Sequence, residues 1–421
     1  MRGVERACCR VVVVAIVVVV AAGGAAGCLD PGPGPGAPGG GGPGGAPPDP
    51  STRTVEVTLD GLEAGWRITT SRMTDHLAPT ETTTLANGEP VTLRGGPTDV
   101  FVATVTDADG ALVQTHVMAA HCTLAEGRQL AVPADYPTIQ AAIDAAQPGD
   151  TVRVAPGTYR ESVAMKAGIC LHGAGARRTV LDADGEGRTL VDLTGAPGSA
   201  VTGFTLRGTT VPPGCSAPSD PFACSGDWYR AAIFLGGESW DDPTQDAPPA
   251  IFNNVFEDNE LGVFLNWHGM AVVRNNLFVR NRSALVANHY ASTRALVASN
   301  VFYANHALAI GNQAAYLDIV GNAIVGSGVG IRFQYIQTGF IRCNLFFDNA
   351  AHASAARFPL DGDGNLVADP RFIDPEGGDF RLGPGSPGID AGCFAGQAVE
   401  PDGTPHDIGA FGGPLAAWID L

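Results

Sequence analysis

Asn266, Asn288, Asn312 and Gln334 each stand twelve places after an asparagine that leads a short recurring phrase, and Trp267, His289, Gln313 and Tyr335 follow them directly. Side-chain amides offer both a donor and an acceptor, and aromatic rings offer a flat apolar face. That pairing suits a polysaccharide, whose hydroxyls take amide partners while its C–H faces stack on rings. His268 and Tyr290 lie one place further on in the first two repeats. With His289 and Arg230 they supply the base and donor types that proton abstraction from a sugar needs. Glu238, Asp241 and Asp242 are the acids from which a hydrolase could draw its two facing carboxylates. A purely structural reading stands beside these: amide columns also satisfy turns, and Trp or Tyr can cover an edge.

The leads themselves are Asn254, Asn276, Asn300, Asn322 and Asn344, in the phrases NNVFEDN, NNLFVRN, SNVFYAN, GNAIVGS and CNLFFDN, at steps of 22, 24, 22 and 22 residues. Two places after each lead stands Phe256, Phe278, Phe302, Ile324 or Phe346, and three places before it Ile251, Val273, Val297, Ile319 or Ile341. These apolar columns bury together. A period this short, built from β-favouring pieces and broken by Gly, Asn and Ser, is one coil of a solenoid; the leucine grid of a leucine-rich repeat is missing. The stretch resembles the right-handed parallel β-helix of the pectin-lyase-like superfamily. In such a stack coils rise by about 4.8 Å, so residues at matching positions form ladders, and a buried amide can bond its neighbours up the stack.

Upstream, the words PTIQAAIDAA, GDTVRVAPGTYRESV and ICLHGAG resemble the opening of pectin methylesterases and of many surface β-helix proteins. Ile139, Ala142, Ile143 and Ala146 share one helical face, and Pro148-Gly149 stops the helix, which predicts a short cap over the open end of the solenoid. The methylesterase Gln-Asp-Thr phrase is missing, so that activity is not expected. Resemblance to pectate and alginate lyases implies β-elimination. The lyase arginine motif, the polygalacturonase Asn-Thr-Asp, Asp-Asp and Gly-His-Gly motifs and the epimerase Tyr-Gly-x-Asp-Pro phrase are likewise missing. Gly173-Ala-Gly175-Ala-Arg177 lacks phosphate-loop spacing and reads as a coil turn. The tail, with Asp369-Pro370-Arg371-Phe372, Ser386-Pro387, Asp390-Ala391-Gly392 and Asp407-Ile408-Gly409-Ala410, resembles the closing segment of bacterial surface β-helix proteins, which ends the solenoid. Its acids Asp369, Asp374, Asp379, Asp390, Asp402 and Asp407 match no EF-hand or nonapeptide spacing and read as turn and capping residues. Calcium is the one cofactor left open.

The fold class expected is therefore all-β: a right-handed parallel β-helix with a short N-terminal capping helix, preceded by a small β-sandwich-like domain. Arg2, Arg6 and Arg10 precede the apolar run Val11 to Ala22, too short to span a bilayer as a mature helix. Residues 1–27 read as a lipoprotein signal peptide, whose AAGC ending resembles a bacterial lipobox and would place lipid on Cys28. Residues 28–53 are a Gly/Pro-rich tether, 54–133 the sandwich, 134–363 the β-helix and 364–421 its closing segment. Insertions at 209–229 and 238–249 interrupt one coil, and Cys215 and Cys224 in the first read as a disulfide. Cys122, Cys170, Cys343 and Cys393 are left without an assigned pairing, and His76, His116 and His121 fit no zinc template.

A net charge of −18 gives no basic stripe for nucleic acid and no attraction to an anionic membrane surface beyond a lipid anchor. The expectation is a monomeric, exported, lipid-anchored outer-membrane or cell-surface protein that binds polysaccharide along the Asn266–Tyr335 ladder. Its rivals are a polysaccharide lyase or glycoside hydrolase and a structural spacer without a ligand.

Overall fold

The computed structural model describes residues 127–210, 231–236, 248–267, 269–288, 293–335, 339–354, 360, 363–392 and 406–412, with N-terminal pieces at 16–21, 54–59, 64–65, 67–72, 81–84, 91–95, 100–106 and 112–119. Two bends per coil explain why the repeated phrase folds as it does. The residue before each lead asparagine has left-handed backbone: Asn253, Asn275, Ser299, Gly321 and Cys343, with φ from 50° to 66°. Five residues later the same conformation recurs at Asp258, Arg280, Ala304, Gly326 and Asp348, with φ from 50° to 64°. A single left-handed residue turns an extended chain sharply, so a three-residue strand such as Val255–Glu257 is held between two corners.

Each coil thus has three strands, and equivalent strands pair in parallel from coil to coil. Sheet A has nine, running from Gly157–Tyr159 to Leu366–Val367. Sheet B has eight, from Val163–Ala164 to Ala351–Ala353, and sheet C nine, from Gln129–Val132 to Ile341–Arg342. The chain passes from C through the first bend to A, through the second bend to B, and by a loop back to C. Phe256, Phe278 and Phe302 stack inside, with ring centroids 4.6 and 4.7 Å apart and planes 7° off parallel, and Ile324 and Phe346 are buried with them. The expected parallel β-helix is present with about nine coils.

The lead asparagines are fully buried and form one ladder. The Asn254 backbone N–H and Nδ2 both donate to Asn276 Oδ1 (3.0 and 3.2 Å), and the pattern repeats through Asn300, Asn322 and Asn344 to Asn365. Each Nδ2 also donates to backbone carbonyls, as Asn300 does to Val273 and Ala298 (3.0 Å each). Both ends of every amide are used, which is what a polar group in a dry core requires.

Helix α1 (Ile139–Ala145) covers the first coil with Ile139, Ala142 and Ile143 buried, as its periodicity predicts. Thr138 Oγ1 accepts from Ala141 N–H (3.1 Å), and Glu161 accepts from Ile139 N–H (3.0 Å), so the helix start is satisfied twice. Two expected boundaries move. Gln129–Val132, assigned to the sandwich, pairs in parallel with Thr151–Val154 and opens sheet C. Leu366–Val367 pairs with Leu345–Phe346 and closes sheet A, so the solenoid runs past 363. Thr209, assigned to an insertion, is buried in the stack and its N–H donates to Asn259 Oδ1 (3.2 Å).

The closing segment departs further from expectation. After Val367 it folds back along the outer face of sheet A, where Phe380, Ile408 and Ala410 bury the outward residues Val255, Leu277, Val301, Ala323 and Leu345. Those outward positions are apolar in the repeat, so sheet A needs a cover on both faces. Arg177 Nη2 donates to Gly378 O (2.6 Å), and Asn275 Nδ2 donates to the carbonyls of Ala410 and Gly412 (3.0 Å each). Its acids serve turns: Asp369 accepts from Arg371 N–H (2.8 Å), Asp374 from Gly377 N–H (3.1 Å) and Asp407 from Asp390 N–H (2.8 Å). Asp402 lies outside the described residues.

In the N-terminal part, Thr54–Leu59 pairs antiparallel with Val91–Gly95, and Arg67–Arg72 lies between Glu81–Thr84 and Val100–Thr106. Val100–Thr106 pairs antiparallel with Leu112–Ala119. Ile16–Ala21, read from sequence as part of an export signal, pairs antiparallel with Thr54–Leu59. Among the described residues no helix is long and apolar enough to cross a membrane.

Candidate functional site

The amide-rich residues chosen from the sequence lie where sheet B ends and the chain loops back to sheet C. Leu261–Asn266, Ser283–Asn288, Leu308–Gln313 and Val329–Tyr335 are the four strands concerned. Counting from the lead asparagines does not give their true register. Leu265 pairs with Ala287, which brings Asn266 beside Asn288 as expected, but Asn288 pairs with Gln313 and Gln313 with Tyr335. The observed register column is Asn266, Asn288, Gln313 and Tyr335.

One extra residue causes the slip. Only Arg282 separates Asn281 from Ser283, whereas His306 and Ala307 separate Asn305 from Leu308, the partner of Ser283. The N–H groups of Ala307 and Leu308 both donate to Arg282 O (2.7 and 3.2 Å), the signature of a bulge. A one-residue shift exchanges the faces of a strand. Asn312 therefore joins the inner column of Ala287 and Phe333 and is buried. Its Oδ1 accepts from Ala315 N–H (2.8 Å) and its Nδ2 donates to Ala315 O (3.0 Å), so it closes the following turn and leaves the proposed binding face. A second irregularity between Asn312 and Gln313 places Tyr335 opposite Gln313; Gln334 is exposed beside it.

The remaining members differ in access. Trp267 is 50% exposed and has left-handed backbone (φ 41°), which turns the chain out of sheet B. Asn288 and Gln313 are half-buried. Asn266 is buried, and its Oδ1 has no hydrogen-bond partner. On the sheet C side of the same loops, Arg294 lies over the Tyr316 ring, 5.7 Å from its centroid, and these two residues pair in register. Sequence reasoning missed that pair because it counted outward residues only up to the loop; the spacing of Met270, Arg294 and Tyr316 from the leads carries the signal.

Sequence reasoning also missed a second inner amide column. Asn259 N–H and Nδ2 donate to Asn281 Oδ1 (3.1 and 3.0 Å), Asn281 does the same to Asn305 (3.1 Å each), and Ser327 N–H donates to Asn349 (2.9 Å). The Asn that ends four of the five phrases was its signal.

His268, His289, Tyr290, Arg230 and Glu238, the candidate catalytic residues, lie outside the described residues, as do Trp240, Asp241, Asp242, Cys28, Cys215 and Cys224. Among the described residues no three His, Cys, Asp or Glu side chains gather to hold a metal ion.

Residues 229–374, less than half of the chain, match the family described as periplasmic copper-binding protein (NosD). The described residues supply no donor set for copper. None of the curated proteins compared matches the chain. Among solved structures, the Yersinia enterocolitica family 28 exopolygalacturonase is similar at 13% identity, over 73% of this chain and 80% of that one, with a TM-score of 0.33. The Azotobacter vinelandii mannuronan C-5 epimerase AlgE4 A-module is similar at 17% identity, over 54% of this chain and 88% of that one, with a TM-score of 0.20. The three-sided coils, parallel in every one of the three long sheets and packed round stacked Phe and Asn columns, make this chain a parallel β-helix.

Proposed function

We propose that this is an exported β-helix protein that binds polysaccharide along the loop edge between sheets B and C. The carrying observation is the column Asn266, Asn288 and Gln313, beside the exposed Trp267 and the Arg294–Tyr316 pair. An amide acceptor without a partner at Asn266 suits a sugar hydroxyl, and Trp267 offers a face for stacking. Successive rungs about 4.8 Å apart favour an extended polymer over a compact ligand.

Export is supported by the periplasmic description of the matching family and by the basic, apolar start of the sequence. Anchoring through lipid on Cys28 is part of the same reading, and mass spectrometry of the protein released from membranes tests it: an unmodified Cys28 rejects the anchor.

A glycan array tests binding. The intact protein is expected to retain a polysaccharide that the Trp267→Ala, Asn288→Ala double variant releases. Binding that survives in the variant rules out this edge, and new reducing or unsaturated ends on the polymer would turn the reading to a hydrolase or lyase.

A further inference from the structure

We propose that a second site, at the bend from sheet C to sheet A in the first coils, binds a phosphate group that carries or adjoins a hydroxyl, as hydrogen phosphate and phosphate monoesters do. A cavity of about 510 Å³ opens there, lined by Arg153, His172, Arg177, Arg178 and Asn253. That size suits a small molecule. Among the described residues no Asp or Glu lines it, although the chain carries a net charge of −18. A cationic recess in an acidic protein concentrates anions locally.

Arg153 and Arg177 are held by neutral partners. Arg153 Nε donates to Gln129 Oε1 (2.5 Å), its Nη1 lies 3.3 Å from His172 Nδ1, and no carboxylate among the described residues pairs with it. Burial, and then the charge of Arg153, lower the His172 pKa, which leaves a neutral ring with one donor and one acceptor at neutral pH. Arg177 donates to Gly378 O (2.6 Å), and Asp379, the acid that senses its charge, is clasped by Arg381. Arg178 folds over Gly175, whose φ of 138° and lack of a side chain admit the guanidinium. Planar guanidinium groups match the oxygens of a tetrahedral anion.

Asn253 narrows the ligand class. It is buried, it lines the same cavity, and its Oδ1 has no partner. A bare oxyanion such as sulfate cannot satisfy that acceptor, whereas a P–OH or a neighbouring C–OH can. The cavity lies on the opposite side of sheet C from the Asn266 edge, so it does not depend on the polysaccharide reading.

Calorimetric titration of the full-length chain with sn-glycerol 3-phosphate, inorganic phosphate and sulfate, at neutral pH and low salt, tests the site. One of the phosphates is expected to bind at least about tenfold more tightly than sulfate, the scale of one hydrogen bond to a charged group. The phosphate ligand that binds more tightly identifies the source. Arg153→Gln is expected to weaken binding about tenfold. Asn253→Gly keeps the left-handed bend while removing the amide, and is expected to abolish the preference for phosphate. Equal binding of sulfate and phosphate, indifference to Arg153→Gln in a variant with unchanged circular dichroism, or no binding of any probe would overturn the proposal.

Discussion

Of the columns of side-chain amides that run along this solenoid, the lead asparagines and the outer column use the same chemistry to opposite ends. In the inner column at the bend from sheet C to sheet A, every lead asparagine spends its donor and its acceptor within the stack. In the outer column where sheet B ends, Asn266 Oδ1 has no partner and Asn288 and Gln313 are only half-buried. The difference teaches that residue type does not distinguish a structural amide from an available one. Satisfaction does. A closed hydrogen-bond set stabilises the coil, and an open one at a partly wet edge can be completed by a ligand.

Substitutions should separate the two columns by size of effect. The inner packing should respond most: Phe278→Ala, between Phe256 and Phe302, is expected to cost about 3–5 kcal/mol in urea unfolding of the intact chain. Asn300→Ala should follow at about 3 kcal/mol, because it takes the buried acceptor from Asn276 N–H and Nδ2 and one donor each from the Val273 and Ala298 carbonyls. A cost under 0.5 kcal/mol for either change would erase the distinction between the columns.

A third test probes the cover over the inner bend. His406 of the closing segment is buried with Nε2 3.0 Å from Ser299 Oγ, and burial followed by the Arg274 charge lowers its pKa to about 3. The folded ring stays neutral while the unfolded ring titrates near its ordinary value of about 6.5. Between those values the unfolded chain takes up a proton that the folded chain refuses, so stability falls as pH falls, by at most about 1.4 kcal/mol per pH unit. The full contribution is present above pH 6.5. Thermal unfolding from pH 7 to 4 should show this slope, and His406→Asn should flatten it; an unchanged slope in the variant would assign the acid sensitivity elsewhere.

The smallest stability effect belongs to the outer column. Asn288→Ala and Trp267→Ala should each shift unfolding by less than about 0.5 kcal/mol while reducing polysaccharide retention. Loss of more than 1 kcal/mol would mean that this edge, too, serves the fold.

Much of this contrast was legible in the sequence, but unevenly. The step from Asn254 to Asn276 and onward announced the coil, and the apolar residues at fixed offsets announced the Phe stack, because burial must repeat wherever the period does. The helical face of Ile139, Ala142 and Ile143 announced the cap. Asn312 was misplaced because a period measured from lead to lead cannot reveal where in the coil an extra residue is absorbed. The closing segment was expected to end the stack, yet Val255, Leu277, Val301, Ala323 and Leu345 already showed an apolar outer face that something had to cover.

By itself, then, the sequence determined the local repeat: left-handed corners, short strands, and inner columns of Asn and Phe. These are consequences of spacing and side-chain type within one coil. Tertiary structure alone decided that His306 and Ala307 form the bulge that turns Asn312 inward, that residues 372–391 and 406–412 lie back over sheet A, and that Asn253 meets Arg153 and His172 around one cavity. Strand register and long-range contact depend on which neighbours a coil finds, and a one-residue shift is enough to exchange inside for outside.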